Sequence, residues 1–111
     1  MVGLESALRV VHQSMVQTGL LGWADVARVM SSRPARIGRL SGHGTPLAAG
    51  QPAHITLYDP AVDGVFTAAD LHGRSVNSPY LGRALPGRVE YTVHGGVLTV
   101  DGGTVVEELG A

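Results

Sequence analysis

The chain has 111 residues, 44% of them apolar, which is enough for one small domain with a core and too few for two ordinary ones. Net charge is −1, with eight Arg, no Lys and nine acidic residues, so no basic patch points to nucleic acid as a partner. The absence of Cys excludes disulfides and thiolate metal sites, and no apolar run approaches the ~20 residues of a membrane span.

The opening residues, MVGLESALRVV, lack the basic start and cleavage site of a signal peptide, so a cytoplasmic location is expected. Leu4, Ala7, Leu8, Val11 and Met15 share one stripe at helical spacing and predict a helix over 3–17. Gly19 suits the left-handed position that ends it. A second helix is expected over 23–31, with Trp23, Val26, Ala27 and Met30 facing inward and Ser31-Ser32 interrupting it. Pro34 then opens a short third helix through Leu40, with Ser32 as its N-cap.

SGHGTPLAAGQP, residues 41–52, is dense in turn formers and divides a helical part from a strand part. In the strand that follows, Ala53, Ile55 and Leu57 alternate with His54, Thr56 and Tyr58, and Asp59-Pro60 reads as a sharp stop. Asp63-Gly64 marks a turn. A short strand is expected at 65–67, then a turn or single helical turn at 68–72, then a loop over 76–87. Val89, Tyr91 and Val93 alternate with polar neighbours, Gly95-Gly96 supplies a tight turn, and Val97 to Val100 returns as a hairpin. One more short strand is expected at 104–106. The fold class is therefore α+β: three amphipathic helices, then about four short strands. Such helices need another layer over their apolar stripes, and such a small sheet has two open edges.

Residue patterns assemble no active site. His12 falls on the first helix, His43 in a glycine-rich loop, His54 and His94 on strands, and His72 in a turn. No pair has the i,i+4 or H-x-H spacing of metal ligands. His54 and His94 can share one sheet face, where each reads as a solvated strand residue. Asp25, Asp59, Asp63 and Asp70 are accounted for by turns and caps, Asp70 being the least constrained. GHG at 42–44 follows a helix and precedes a strand, the wrong order for a phosphate loop. HGG at 94–96 is hairpin chemistry. Ser6, Ser14, Ser31, Ser32, Ser41, Ser75 and Ser78 include no G-x-S-x-G elbow. Trp23 and Met30 read as core. Arg33, Arg36 and Arg39 read as a solvated face rather than an anion site. No catalytic, substrate-binding or metal-binding residue is assigned.

The succession of segments carries more than any one of them. GLESALRVV, GLLGWADVARVMSSRPARIGRL, GTPLAAGQPAHITLYDP and SVNSPYLGRALPGRVEYTVHGGVLTVDG follow in that order. Over residues 2–103 the succession resembles the C-terminal part of dihydroorotase, a zinc enzyme of the amidohydrolase superfamily. The matching motifs are Gly3-Leu4-Glu5, Pro34-Ala35-Arg36-Ile37, Gly44 to Pro60, Ser75 to Tyr80 and Leu85 to Val97. The PAR helix and DP strand are shared across the superfamily. SVNSPYLGRALPGRV favours dihydroorotase over dihydropyrimidinase or allantoinase. Arg33 stands where the family often has Asn as a helix cap, and His54 where it usually has Asp or Asn.

The resemblance implies that residues 1–41 are the last helices of a metal-dependent (β/α)₈ barrel and that 42–111 are the C-terminal share of a β-sandwich. It implies a parent activity, the reversible hydrolysis of dihydroorotate to N-carbamoyl-L-aspartate in pyrimidine biosynthesis. There, zinc activates a bridging water and an Asp handles the proton. The family's metal ligands, carboxylated Lys and catalytic loop all lie upstream of the stretch matching Gly3, so none carries over onto a position of this chain. The chain alone is accordingly expected to bind no zinc and to be inactive. Its expected partners are the N-terminal part of the parent or, in a non-catalytic scaffold reading, aspartate transcarbamoylase. A piece of another cyclic amidohydrolase is the remaining alternative.

Overall fold

The computed structural model describes residues 3–106. They divide into two compact units, one from 3–20 and 59–88, the other from 21–58 and 89–106. The fold is α+β, as the patterning requires, with a four-stranded sheet whose strands lie in chain order: β1 (Ile55–Val65), β2 (Ala84–His94), β3 (Val97–Asp101) and β4 (Thr104–Val105).

In the first unit, helical backbone runs from Ala7 to Val16. α1 (Ala7–Val11) passes into a π-helical turn, His12–Val16, in which the Gln17 N–H donates to the His12 carbonyl at 2.9 Å. Gly19, at φ +81, ends the segment in the left-handed conformation expected of it. The apolar stripe is covered only in part. Leu8 and Val11 are half-buried, whereas Leu4 and Met15 are exposed. What the unit buries most completely is Phe66 and Leu85, at 0% and 1% exposure. Phe66 is held from both sides of its backbone: its N–H donates to the Arg83 carbonyl at 2.9 Å and its carbonyl accepts from Gly82 N–H at 2.8 Å.

Arg9 ties the helix of this unit to its extended segments. Its guanidinium donates to the carbonyls of Leu85 at 2.8 Å, Gly64 at 3.0 Å and Pro86 at 3.3 Å. The planar fork satisfies three main-chain acceptors from two separate segments, which a point-like ammonium does less well. Ser6 and His12 are buried beside this arrangement in sequence, and the Ser6 hydroxyl donates to the Gly3 carbonyl at 3.4 Å.

In the second unit the expected interruption at Ser31-Ser32 does not occur. α2 (Trp23–Ala27) continues through a π-helical turn, Arg28–Ser32, into α3 (Arg33–Ile37). Ser32 has helical φ and ψ and makes no cap bond; its hydroxyl instead turns back to the Arg28 carbonyl at 3.5 Å. Arg33 is likewise inside the helix rather than at its start. The physical reason lies in Pro34, which has no N–H and whose ring crowds the carbonyl four residues earlier. Widening the preceding turn, with Arg33 N–H donating to Arg28 O five residues back, admits the proline without breaking the helix.

The helix begins at Gly22, whose N–H donates to the Asp25 carboxylate at 3.0 Å, and Asp25 pairs with Arg28 at 2.9 Å. These two contacts, the Gly22 N–H first, hold Asp25 below the usual carboxylate range. It ends with Leu40 N–H donating to Ala35 O at 2.9 Å and Arg39 at φ +55. That left-handed position normally takes glycine. Arg39→Gly should therefore raise stability by about 0.5–1 kcal/mol, the αL penalty less the added chain entropy. A denaturant midpoint measured on both proteins reads this, and an unchanged or lower midpoint for the variant would refute it.

β1 (Ile55–Val65) does not stop at Asp59-Pro60 but runs through it for eleven residues. It lies at the edge of the sheet, where one row of N–H groups has no ladder partner, so a proline there need not break a bond. Asp59 still makes its turn-type contact, accepting from Ala61 N–H at 2.9 Å. Asp63-Gly64 lies within β1 rather than in a turn, and only Val65 of the strand expected at 65–67 is strand. The single helical turn is present as a 3₁₀ segment, Ala68–Asp70, with Asp70 accepting from Thr67 N–H at 2.8 Å.

β2 (Ala84–His94) starts inside the stretch read as loop. Ala84–Gly87 is strand, and Leu85, Pro86 and Gly87 are all buried. A Pro and a Gly conceal this strand from propensity, but the Arg9 fork binds its carbonyls. The expected hairpin is present, with His94 opposite Val97 across Gly95-Gly96 at φ +57 and +78, and Thr92 opposite Val100. A bulge between Thr92 and Val93 shifts the register, and Thr99 donates its hydroxyl to the Thr92 carbonyl at 3.1 Å. β3 (Val97–Asp101) turns at Gly102-Gly103 into β4 (Thr104–Val105), and Val106 N–H closes onto Thr99 O at 2.9 Å.

Candidate functional site

The second unit contains a cavity of about 360 Å³. Its construction begins at Gly44. At φ +63 this residue lies so close to the helix that a Cβ would stand 2.8 Å from the Ser31 carbonyl and 2.9 Å from Ala35 Cβ. Glycine is the residue that permits both the backbone angle and the approach. The close approach seats His43, and two further histidines meet it: His54 just before β1 and His94 at the end of β2.

The three imidazoles form a cluster. His43 stacks on His54 with ring centroids 4.0 Å apart and planes 21° from parallel. His94 is 4.9 Å from His54 and 5.8 Å from His43. Gly95 N–H donates to His54 Nδ1 at 3.0 Å, so that nitrogen carries a lone pair and the proton of the neutral ring sits on Nε2. Desolvation, and then the imidazoles of His43 and His94, lower His54 below the usual histidine range. Met30, Pro34 and Leu40 supply an apolar wall, and among the described residues no carboxylate lines the cavity.

This arrangement supports contact with a ligand or cohesion of the unit. The residues present do not fit zinc. Among the described residues no group of three or more His, Cys, Asp or Glu is placed to hold a metal ion. Stacked rings present faces to one another, whereas metal ligation needs their nitrogens to converge.

The remaining candidates lie elsewhere. His12 is buried in the first unit; desolvation lowers it and the Asp63 charge opposes that shift. His72 is exposed, and its backbone N–H donates to the Glu5 carboxylate at 3.1 Å, which lowers Glu5. Asp25, Asp59 and Asp70 all accept backbone N–H groups in caps or turns, the roles read for them in the sequence. Arg33, Arg36 and Arg39 are exposed. Trp23 packs its ring 5.6 Å from Tyr58 yet stays 42% exposed, so it is less of a core residue than its stripe implied, while Val26 is buried. His54 and His94 do come together as the sheet pattern allowed. His43 was missed, because its nearness depends on a loop whose only sequence signal is Gly44.

No protein-family profile matches the chain. Curated relatives do. It is 60% identical over 110 residues to a dihydroorotase of Leifsonia xyli subsp. xyli, covering 99% of this chain and 25% of that protein. It is 54% identical over 103 residues to a dihydroorotase of Streptomyces coelicolor, covering 92% of this chain and 24% of that protein. A dihydroorotase of Mycobacterium tuberculosis is 47% identical over 105 residues, with 95% and 24% covered. Among solved structures, a D-hydantoinase superposes with a TM-score of 0.83 at 30% identity, covering 96% of this chain and 23% of its own. The L-hydantoinase (dihydropyrimidinase) of Arthrobacter aurescens gives 0.85 at 27%, with 98% and 24% covered.

These likenesses are to one class of enzyme, the dihydroorotases and hydantoinases. Within that class the chain corresponds to the C-terminal part of dihydroorotase, as the order of its motifs indicated. It spans about a quarter of the length of the curated relatives it matches.

Proposed function

We propose that the chain supplies the C-terminal quarter of a dihydroorotase, whose whole acts on dihydroorotate to give N-carbamoyl-L-aspartate in pyrimidine biosynthesis. The observation that carries this reading is the 60% identity to the Leifsonia xyli dihydroorotase along nearly the whole chain. Residues 1–41 are proposed as the last barrel helices and 42–111 as sandwich. The apolar side chains left uncovered favour that assignment: on helical backbone, Ile37 is 76% exposed and Met15, Val29 and Met30 are exposed as well. A helix that leaves its apolar side chains in water lacks the layer that would bury them.

The metal and the proton-transfer steps are proposed to belong to the rest of such an enzyme; among the described residues no group of three or more metal-ligating side chains is assembled. This chain's own contribution is structural: a helix-and-sheet surface against which that machinery is built. A cytoplasmic location, and partnership with the N-terminal part of the parent, are proposed with it. No helix among the described residues is long and apolar enough to cross a membrane.

A chimaera tests the reading. The corresponding quarter of the Leifsonia xyli dihydroorotase is replaced by this chain. The purified product is expected to bind zinc and to hydrolyse dihydroorotate in preference to hydantoin, while the 111-residue chain alone does neither. A folded, zinc-loaded chimaera that leaves dihydroorotate untouched would sink it, as would turnover by the isolated chain.

A further inference from the structure

The His43–His54–His94 cluster plays no part in the function proposed above, and its geometry carries a separate consequence. Three segments of the second unit converge on it: the loop at 41–44, the entry to β1 and the end of β2. The β2–β3 turn is fastened to the β1 entry by two main-chain donors only a residue apart. Gly95 N–H donates to His54 Nδ1 at 3.0 Å, and Gly96 N–H donates to the Ala53 carbonyl at 3.2 Å.

We propose that this cluster is an acid-sensitive latch, which holds the Gly95-Gly96 turn against the β1 entry while His54 is neutral and releases it when His54 takes up a proton. The chemistry is local. Nδ1 is the acceptor for Gly95 N–H, so protonation there turns an acceptor into a donor and sets two N–H groups against each other. A charge on the His54 ring is also placed 4.0 Å from the His43 ring and 4.9 Å from the His94 ring, centroid to centroid, where part of its hydration is lost. Among the described residues that line the cavity, no charged side chain compensates. The titratable groups facing His54 are His43 from the loop and His94 from β2; the helical wall contributes Met30, Ser31, Pro34 and Ala35, none of them charged.

The sign follows from the lowered affinity of His54 for protons, set first by desolvation and then by the two neighbouring rings. A base whose folded-state pKa lies below its unfolded value of ~6.5 contributes stability that is complete above that value. The contribution is lost as pH falls through the folded-state pKa. The latch is thus closed at neutral pH and opens on acidification.

The test uses the whole chain and three variants of one residue. Amide hydrogen exchange at Gly95 and Gly96, expressed as protection over an unstructured peptide at the same pH, should fall about tenfold or more between about pH 7.5 and 5 in the native protein. The Val26 amide, bonded to Gly22 O in α2, should keep its protection. In His54→Asn the side-chain carbonyl replaces Nδ1 as a non-titrating acceptor, so protection should persist with the pH dependence removed. His54→Ala should leave both turn amides unprotected throughout, and His54→Gln, with its acceptor displaced, should resemble it. Equal pH-dependent loss in the native protein and His54→Asn would overturn the proposal. So would nitrogen chemical shifts showing His54 protonated on Nδ1 at pH 7.5, a measurement that needs no variant.

Discussion

Phe66→Ala should destabilise the first unit by about 3–5 kcal/mol, the usual cost of truncating a buried aromatic side chain. Phe66 is wholly buried, and it shares with Leu85 nearly all the deep apolar burial of a unit built from fifty or so residues. In so small a core, little surrounding structure can relax into the space left behind. The backbone contacts of Phe66 with Gly82 and Arg83 depend on the ring being seated, so the loss should spread along the 59–88 segment. Amide exchange at Phe66, Gly82 and Arg83 is the measurement. Opening should increase by two orders of magnitude or more, since every ~1.4 kcal/mol is a factor of ten. Retained protection at these amides would show that the core is carried by other residues.

Gly44→Ala is expected to cost about 2–4 kcal/mol, by a different mechanism. The added methyl group occupies a left-handed backbone position, a penalty of roughly 1–2 kcal/mol for an L-residue. It must also displace the Ser31 carbonyl and the Ala35 methyl group, each closer than 3.0 Å. Overpacking against backbone of this kind adds typically 1–3 kcal/mol, and main-chain atoms of a helix yield little. The loop should lift, carrying His43 off His54. A drop in the denaturant midpoint, together with ring-proton shifts of His43 moving to solvent-exposed values, is the expected pair of results. A variant with an unchanged midpoint and intact ring stacking would show that the loop position is not set by this contact.

The same residues show how far the sequence could be read. Gly95-Gly96 between alternating strands implied a hairpin, and the hairpin is there because two adjacent positive φ angles are cheap only for glycine. Asp25 and Asp70 fall within the turn and cap roles read for the aspartates together, since a carboxylate three residues into a turn reaches back to a free N–H whatever surrounds it. Asp59-Pro60 was misleading for the complementary reason. A proline blocks a strand only where its missing N–H was needed, and an edge strand leaves half of those groups unused. Ser31-Ser32 failed likewise as a helix break, because a π turn accommodated Pro34.

Local chemistry, then, determined the turns, the caps, the apolar stripes and, through the order of its motifs, the kinship with dihydroorotase. Whether a strand continues past a proline, which apolar residues are truly buried and which histidines touch were decided by tertiary structure. Each of those depends on a neighbour distant in the chain: the free edge beside Pro60, the carbonyls that Arg9 gathers, the helix against which Gly44 lies. A short-range pattern records what a segment can do, and only the packing of remote segments selects among the options.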